Sequence, residues 1–129
     1  MRKILLLLSF IAFTFIVNAQ LTGIKTVGTG LDYNTISDAV TALNSYGICG
    51  PVVLSLTDAL YSTSETYPIS INAINGASAV NTITIKPASG VNATITGNST
   101  SSILKLNGAD YVTVDGSNNG STSRNLTIE

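Results

Sequence analysis

One pattern constrains the fold of this chain more than any other: short apolar alternations that are separated by polar corners. From residue 52 onward, β-branched side chains alternate with polar ones, and each run ends at Gly, Asn, Asp or Ser. Alternation at period two predicts strands, and these corner residues predict turns. The predicted strands cover residues 24–27, 52–56, 68–71, 82–86, 93–96, 103–106, 111–115 and 125–128.

The N-terminal residues have the pattern of a secretory signal peptide. Arg2 and Lys3 precede an almost unbroken apolar stretch over residues 4–17, and small or branched side chains precede a cut before Gln20. The alternative is a transmembrane anchor, but a bilayer span needs about 20 apolar residues and this stretch is shorter. We therefore predict a signal peptide over residues 1–19, a secreted or cell-surface location, and no stable membrane span after cleavage.

The residues after the predicted cut are enough for one small domain. We divide them into a lead-in with a capping helix over residues 20–50 and a strand-rich part over residues 51–129. Without the two cations of the leader, four cations face seven acids, which gives a net charge of −3. So few cations exclude a surface that tracks a phosphate backbone, and we expect no nucleic-acid partner.

One helix is predicted, between residues 35 and 46. Thr35 and Asp38 have the spacing of a capping box, and Gly47 is a typical stop signal. The apolar residues between them recur on one face at helical spacing: Ile36, Ala39, Val40 and Leu43. Such a helix can cover the edge of the first strands.

Strands joined by short corners indicate a solenoid, in which each unit buries its faces only against its neighbours. The corners vary in length, unlike those of strict hexapeptide or nonapeptide repeats. We therefore predict an all-β fold, the start of a right-handed parallel β-helix with one N-terminal capping α-helix. A bare strand over residues 125–128 would be an aggregation edge. We accordingly expect the remaining coils to follow C-terminally, so that the chain is incomplete.

Two regions resemble pectin-lyase-like right-handed β-helix proteins. Residues 33–40 read Y-N-T-I-S-D-A-V and are followed by G-P-V-V-L-S-L at residues 50–56. In that superfamily a Y-x-T-I-x-x-A-V helix leads to a strand and then to a G-x-Y-x-E turn. Tyr61 and Glu65 match that turn, but its usual glycine is absent here. Farther on, Y-V-T-V-D-G from Tyr111 and N-L-T-I from Asn125 resemble coils of the same superfamily.

The resemblance implies a location and two functions. Its style is that of large secreted or cell-surface proteins of bacteria with type IX secretion, which pair such openings with a C-terminal sorting domain. A structural, adhesive or carbohydrate-contacting role without catalysis is the leading expectation. Its partner would be an extracellular carbohydrate or another molecule of the cell surface. The alternative is the N-terminal cap of a pectate-lyase-like or pectin-esterase-like enzyme whose active site lies in downstream coils.

The candidate metal ligands are Asp110 and Asp115, which bracket one predicted strand. Carboxylates of this kind can bind Ca²⁺. Asp-Gly is also an ordinary turn signal, and two residues five apart on a strand point to opposite faces. The only nearby cations, Lys105 and Arg124, form no recognisable catalytic set with them. We interpret both aspartates as turn residues and predict no catalytic residue, no metal and no cofactor.

The remaining candidates have ordinary structural interpretations. Cys49 is the only cysteine, and with no histidine to activate it we interpret it as a small buried residue. Asp58, Tyr61 and Glu65 match a fold signature of the resembling superfamily. The glycine-rich 28–30 segment lacks the lysine of a phosphate loop and is interpreted as a flexible lead-in. The tyrosines could stack on sugar rings, but core or corner packing is the preferred interpretation: Tyr33, Tyr46, Tyr61, Tyr67 and Tyr111.

Overall fold

The computed structural model describes residues 19–129, so that the predicted signal peptide lies, except for its last residue, outside the described part of the chain. These residues form one helix, α1 (Ile36–Tyr46), and nine strands. The strands are β1 (Leu21–Val27), β2 (Ile48–Leu56), β3 (Leu60–Tyr61), β4 (Ile69–Asn72), β5 (Ile83–Pro87), β6 (Ala93–Ile95), β7 (Leu104–Asn107), β8 (Val112–Val114) and β9 (Leu126–Ile128).

The strands form three small sheets in which every pairing is parallel. A four-stranded sheet has the order β1-β2-β5-β8, a three-stranded sheet has the order β3-β6-β9, and β4 pairs with β7. From β5 onward, each strand therefore adds to the edge of the strand three places earlier in the chain, after the chain has visited the other two sheets. The predicted strands are confirmed as elements, with boundaries shifted by a few residues.

Apolar rungs across the four-stranded sheet build the core. Val52 of β2 lies beside Ile83 of β5, and Ile83 lies beside Val112 of β8. In parallel strands such identical register stacks side chains of the same face directly next to each other. The side chains in the middle of the sheet are buried almost completely, and burying a side chain of this size contributes about 1.5–3 kcal/mol. The rungs therefore hold the sheets together.

The helix forms as its sequence predicts. The Thr35 hydroxyl accepts a hydrogen bond from the amide of Asp38 at 2.9 Å, which caps the first turn. At the other end, Gly47 has a φ of 69° and donates its amide to the carbonyl of Leu43. The predicted apolar face is buried, including Ile36 and Leu43, and it packs into the same core as the strands.

Two side chains fasten the helix to the sheets. Asn44 donates to the carbonyl of Ser70 at 2.9 Å and accepts from the amide of Asn72 at 3.0 Å, as a neighbouring strand would. The carboxylate of Glu65 accepts from the amides of Ile36 and Ser37 at the helix N-terminus. A carboxylate at this position also interacts favourably with the helix dipole. Residues far apart in sequence thus fix both ends of α1.

The predicted fold class, an all-β right-handed parallel β-helix, is wrong for the described residues. They form three separate small sheets of four, three and two strands, and α1 contributes five buried side chains to the core. Many of the strands are only two to five residues long, because polar corners interrupt each apolar run early. The result is a mixed fold of short parallel strands and one helix, with no evident solenoid.

The region between residues 48 and 61 also differs from the prediction. β2 runs through Gly50-Pro51 and begins at Ile48, four residues before the predicted strand over residues 52–56. The ladder between β1 and β2 is irregular between Leu21 and Gly23, opposite this proline, and there the missing amide costs little. The two residues of β3 were missed, because the segment before Tyr61 has the composition of a turn.

The link between α1 and β4 can be tested with Asn44→Ala. The substitution leaves the carbonyl of Ser70 and the amide of Asn72 without their side-chain hydrogen bonds, and we expect a loss of about 1–3 kcal/mol in the free energy of unfolding. Urea unfolding followed by circular dichroism measures it. The matched control is Ser45→Ala at an exposed position of the same helix. Equal urea midpoints for the two variants would show that Asn44 does not fasten the helix.

Candidate functional site

The outer face of the four-stranded sheet carries a row of polar side chains. Thr26 of β1 lies beside Ser55 of β2, which lies beside Lys86 of β5. The neighbours of Ser55 and Lys86 in sequence are buried, because successive side chains of a strand alternate between faces. The next row contains Ile24 and Val53, so that one apolar patch borders the polar row.

This face forms an open groove of about 460 Å³. The segment that follows β8 forms one wall of the groove, and the turn after β5 contributes to the lining. The lining residues are Ile24, Val53, Ser55, Lys86, Pro87, Ala88, Ser89, Asn118, Asn119 and Gly120. Hydroxyl, amide and ammonium groups therefore surround a floor that is partly apolar.

Lys86 forms an ion pair at the border of this groove. Its ammonium lies 3.3 Å from the carboxylate of Asp115, and both side chains are partly exposed. The pKa of Asp115 lies below its ordinary value chiefly because the carboxylate accepts the amide of Ser117 at 2.8 Å, with a smaller contribution from Lys86. An exposed ion pair contributes little to stability. The main effect of this pair is that Asp115 offsets the positive charge of Lys86 in the groove.

The structure does not join the candidate metal ligands. Asp115 follows β8 and is held by Ser117 and Lys86, whereas Asp110 precedes β8 and is exposed. Lys105 on β7 and Arg124 before β9 are exposed as well. Among residues 19–129, no group of three or more His, Cys, Asp or Glu side chains is arranged to hold a metal ion.

The carboxylate of Asp58, near the first turn, forms hydrogen bonds to a neighbouring segment of the chain. Asp58 accepts from the amide and the hydroxyl of Thr29, both at 2.9 Å. Gly28 packs so closely against Thr57 that a Cβ atom would lie 2.1 Å from the threonine hydroxyl. The interpretation of residues 28–30 as a flexible lead-in is therefore wrong: they form a tight turn clamped by Asp58.

The tyrosines do not form a common surface. Tyr61 is buried, its hydroxyl donates to the carbonyl of Val27, and burial raises the pKa of its phenol. Burial also raises the pKa of Tyr33 and Tyr67, and the hydroxyl of Tyr67 donates to the carbonyl of Thr96. Tyr46 and Tyr111 are exposed, on the helix and before β8 respectively. They are thus spread over different elements.

Cys49 was predicted to be buried, but it is exposed. β2 begins at Ile48, whose side chain points into the core, and the alternation of the strand turns Cys49 outward. The prediction was wrong because it placed the start of the strand at residue 52.

The sequence analysis also missed the groove, although its signal is present. Ser55 and Lys86 occupy polar positions in strands that otherwise alternate with buried apolar residues, so that each could be placed on an outer face. The sequence does not show the register between β2 and β5, which places Ser55 and Lys86 side by side. The wall from Asn118 to Gly120 lies in a segment without strand periodicity.

Comparisons with known proteins add no family to this description. No protein-family model, no curated protein and no solved structure gives a significant match to this chain. In the part of the chain that the structure describes, none of the helical segments has the length and apolar character needed to cross a membrane.

The cause of the low pKa of Asp115 can be tested by NMR titration of its carboxyl carbon. We expect a pKa below 3.8 in the native protein and, because the amide of Ser117 has the larger effect, still below 3.8 in Lys86→Gln. A depressed folded-state pKa means that the associated stability is present above the unfolded-state pKa and is lost as the pH falls through the folded-state value. A return to the ordinary pKa in Lys86→Gln would assign the effect to the ion pair instead.

Proposed function

We propose that this chain is a non-catalytic, structural or adhesive part of a secreted or cell-surface protein, and that it contacts extracellular carbohydrate. The observation that carries this proposal is the open groove on the outer face of the four-stranded sheet, where hydroxyl and amide groups lie beside apolar side chains.

The chemistry of the groove favours a polyhydroxyl ligand. Ser55, Ser89 and Asn119 provide hydrogen-bonding groups, and Ile24 and Val53 offer an apolar surface to the C–H faces of a sugar ring. Lys86 is the only cation in the lining, and Asp115 offsets its charge. A strongly anionic polymer would require more unpaired positive charge, so a neutral or weakly charged glycan fits best.

The structural use of the carboxylates supports a role without catalysis. Glu65 binds the helix N-terminus, Asp58 clamps a turn, and Asp115 binds a turn amide and Lys86. A general acid or base needs a carboxyl group that can reach substrate and exchange a proton near the working pH. In this protein these three groups stabilise backbone instead.

The position of β1 is compatible with export. β1 begins at Leu21, whose amide donates to the carbonyl of Gly47 at 2.9 Å. The predicted cut before Gln20 would therefore leave the first strand complete.

The signal peptide can be tested by N-terminal sequencing of the product from cells that express the whole chain. We expect an extracellular or surface-exposed product that begins at Gln20, because cleavage needs small residues just before the cut. A product that keeps Arg2 and Lys3, or that stays in the cytoplasm, would exclude export through a cleaved leader.

Carbohydrate contact can be tested on an array of neutral and acidic oligosaccharides with residues 20–129. We expect binding to neutral glycans and an at least tenfold loss in Ser89→Trp, because the large ring fills the groove. Ser45→Trp, at an exposed position of α1, is the matched control and should bind normally. The absence of binding to any glycan, or equal binding by both variants, would contradict the proposal.

A further inference from the structure

Three asparagines of this chain are followed directly by glycine: Asn75, Asn107 and Asn119. In such a pair the glycine amide can attack the side-chain carboxamide of the asparagine, because glycine has no Cβ atom to hinder the close approach. The reaction releases ammonia and converts the asparagine to an acid. It requires a glycine amide without a hydrogen bond and a peptide bond that can rotate, and the three sites differ in both respects.

The peptide bonds after Asn75 and Asn107 are held by the fold. The carbonyl of Asn75 accepts from the amide of Ile48 at 2.8 Å, and a Cβ atom on the following glycine would lie 1.9 Å from the carbonyl oxygen of Ile48. Asn107 is the last residue of β7, and its side chain donates to that of Asn72 at 2.9 Å. The glycine after Asn107 forms a β-bridge with Asn72. Rotation at either site therefore breaks interactions between separate segments of the chain.

The peptide bond after Asn119 has no such restraint. Asn119 and Gly120 are both exposed, in the segment that follows β8. Among residues 19–129, no backbone hydrogen bond uses the carbonyl of Asn119 or the amide of Gly120. Gly120 has a φ of 72°, and no atom of another described segment lies within 4 Å of the place where its Cβ atom would be. The reacting amide thus has no hydrogen bond to break and no neighbour in its way.

The side-chain oxygen of Asn119 is surrounded by hydrogen-bond donors. It accepts from the amide of Ser121 at 3.0 Å, from the hydroxyl of Ser121 at 2.8 Å and from the hydroxyl of Ser123 at 2.9 Å. Attack on the carboxamide carbon moves negative charge onto this oxygen, and donors that are already in place around such an oxygen stabilise the transition state. The three donors therefore favour ring closure at this residue.

We propose that Asn119 is a site of spontaneous deamidation. The nitrogen of Gly120 forms a bond to Cγ of Asn119, the bond from Cγ to Nδ2 breaks, and ammonia leaves with the proton of the Gly120 amide. Water then opens the succinimide ring at one of its two carbonyl carbons. Opening at Cγ gives aspartate, and opening at the main-chain carbon gives isoaspartate, in which the chain runs through Cγ. Either product carries one new carboxylate.

The modification changes the groove, because Asn119 belongs to its lining. The side-chain oxygen is engaged by Ser121 and Ser123, so that Nδ2 is the side-chain group of this residue that can donate to a ligand. Deamidation removes this donor. The new carboxylate also makes the groove more negative, because Asp115 already offsets the charge of Lys86. The effect on binding rests on the proposed function: deamidated protein should bind neutral glycans more weakly.

Peptide mapping by mass spectrometry of residues 20–129, kept in mildly alkaline buffer, tests the site without any ligand. Each conversion adds about 1 Da, because a hydroxyl replaces an amino group. We expect conversion at Asn119 to be about tenfold faster than at Asn75 or Asn107, and the three rates to become similar in urea, where unfolding removes the restraints. Equal rates in the folded protein, or the same ratio of rates in urea, would overturn the proposal.

Ser123→Ala tests the contribution of the donors, and Thr122→Ala in the same segment is the matched control. The first variant loses one hydrogen bond to the oxygen of Asn119 and should convert about threefold more slowly, whereas the control should convert at the native rate. If Ser123→Ala converts as fast as the control, the donors do not promote the reaction and this part of the proposal is wrong.

The effect on the groove is measured with Asn119→Asp, which should raise the dissociation constant for a neutral glycan severalfold. Thr122→Asp adds the same charge in the same segment outside the groove lining, and it should bind as the native protein does. Equal binding by the two variants would contradict the effect on the groove. If the native protein binds no glycan, the proposed function fails, whereas the mass-spectrometric result on Asn119 is unaffected.

Discussion

The structure depends on the register of its parallel ladders. Val52 and Leu54 of β2 lie beside Ile83 and Ile85 of β5, so that each side chain is buried by its neighbours along the ladder. A slip by one residue would turn the whole apolar set outward, which strongly disfavours other pairings. Because strands of two to five residues form few hydrogen bonds, this stacking has to supply most of the stability of the sheets.

The first strand of a ladder has backbone groups on its outer edge that no other strand pairs. In β1 and β4, polar side chains bond to some of these groups. Asn44 bonds to the edge of β4, Asp32 accepts from one amide of β1, and Glu65 fastens the helix that packs against both strands. The same chemistry explains why the carboxylates face backbone amides rather than a common cleft.

Much of the local structure could be predicted from the sequence, because it depends on neighbours in the chain. The cap at Thr35 and the existence of β5, predicted over residues 82–86 and found as Ile83–Pro87, follow from residue spacing alone. The arrangement of the strands in three unequal sheets could not be predicted, because it depends on corner lengths and on pairing between distant segments. The error at Cys49 arose from one wrong strand boundary, because a shifted boundary assigns a side chain to the wrong face of the sheet. The groove was missed because Ser55 and Lys86 meet only through register.

Residue-resolved amide hydrogen exchange in dilute solution tests most directly whether the ladders stabilise this fold from their centre. The amide of Val52 bonds to Thr82 and that of Asp115 bonds to Ile85, both at 2.9 Å. The first joins the inner strands β2 and β5, and the second joins β5 to β8, the outermost strand of the same sheet. We expect much slower exchange at Val52, because local opening is easier where few apolar contacts surround a hydrogen bond. Equal protection at the two amides would contradict the account.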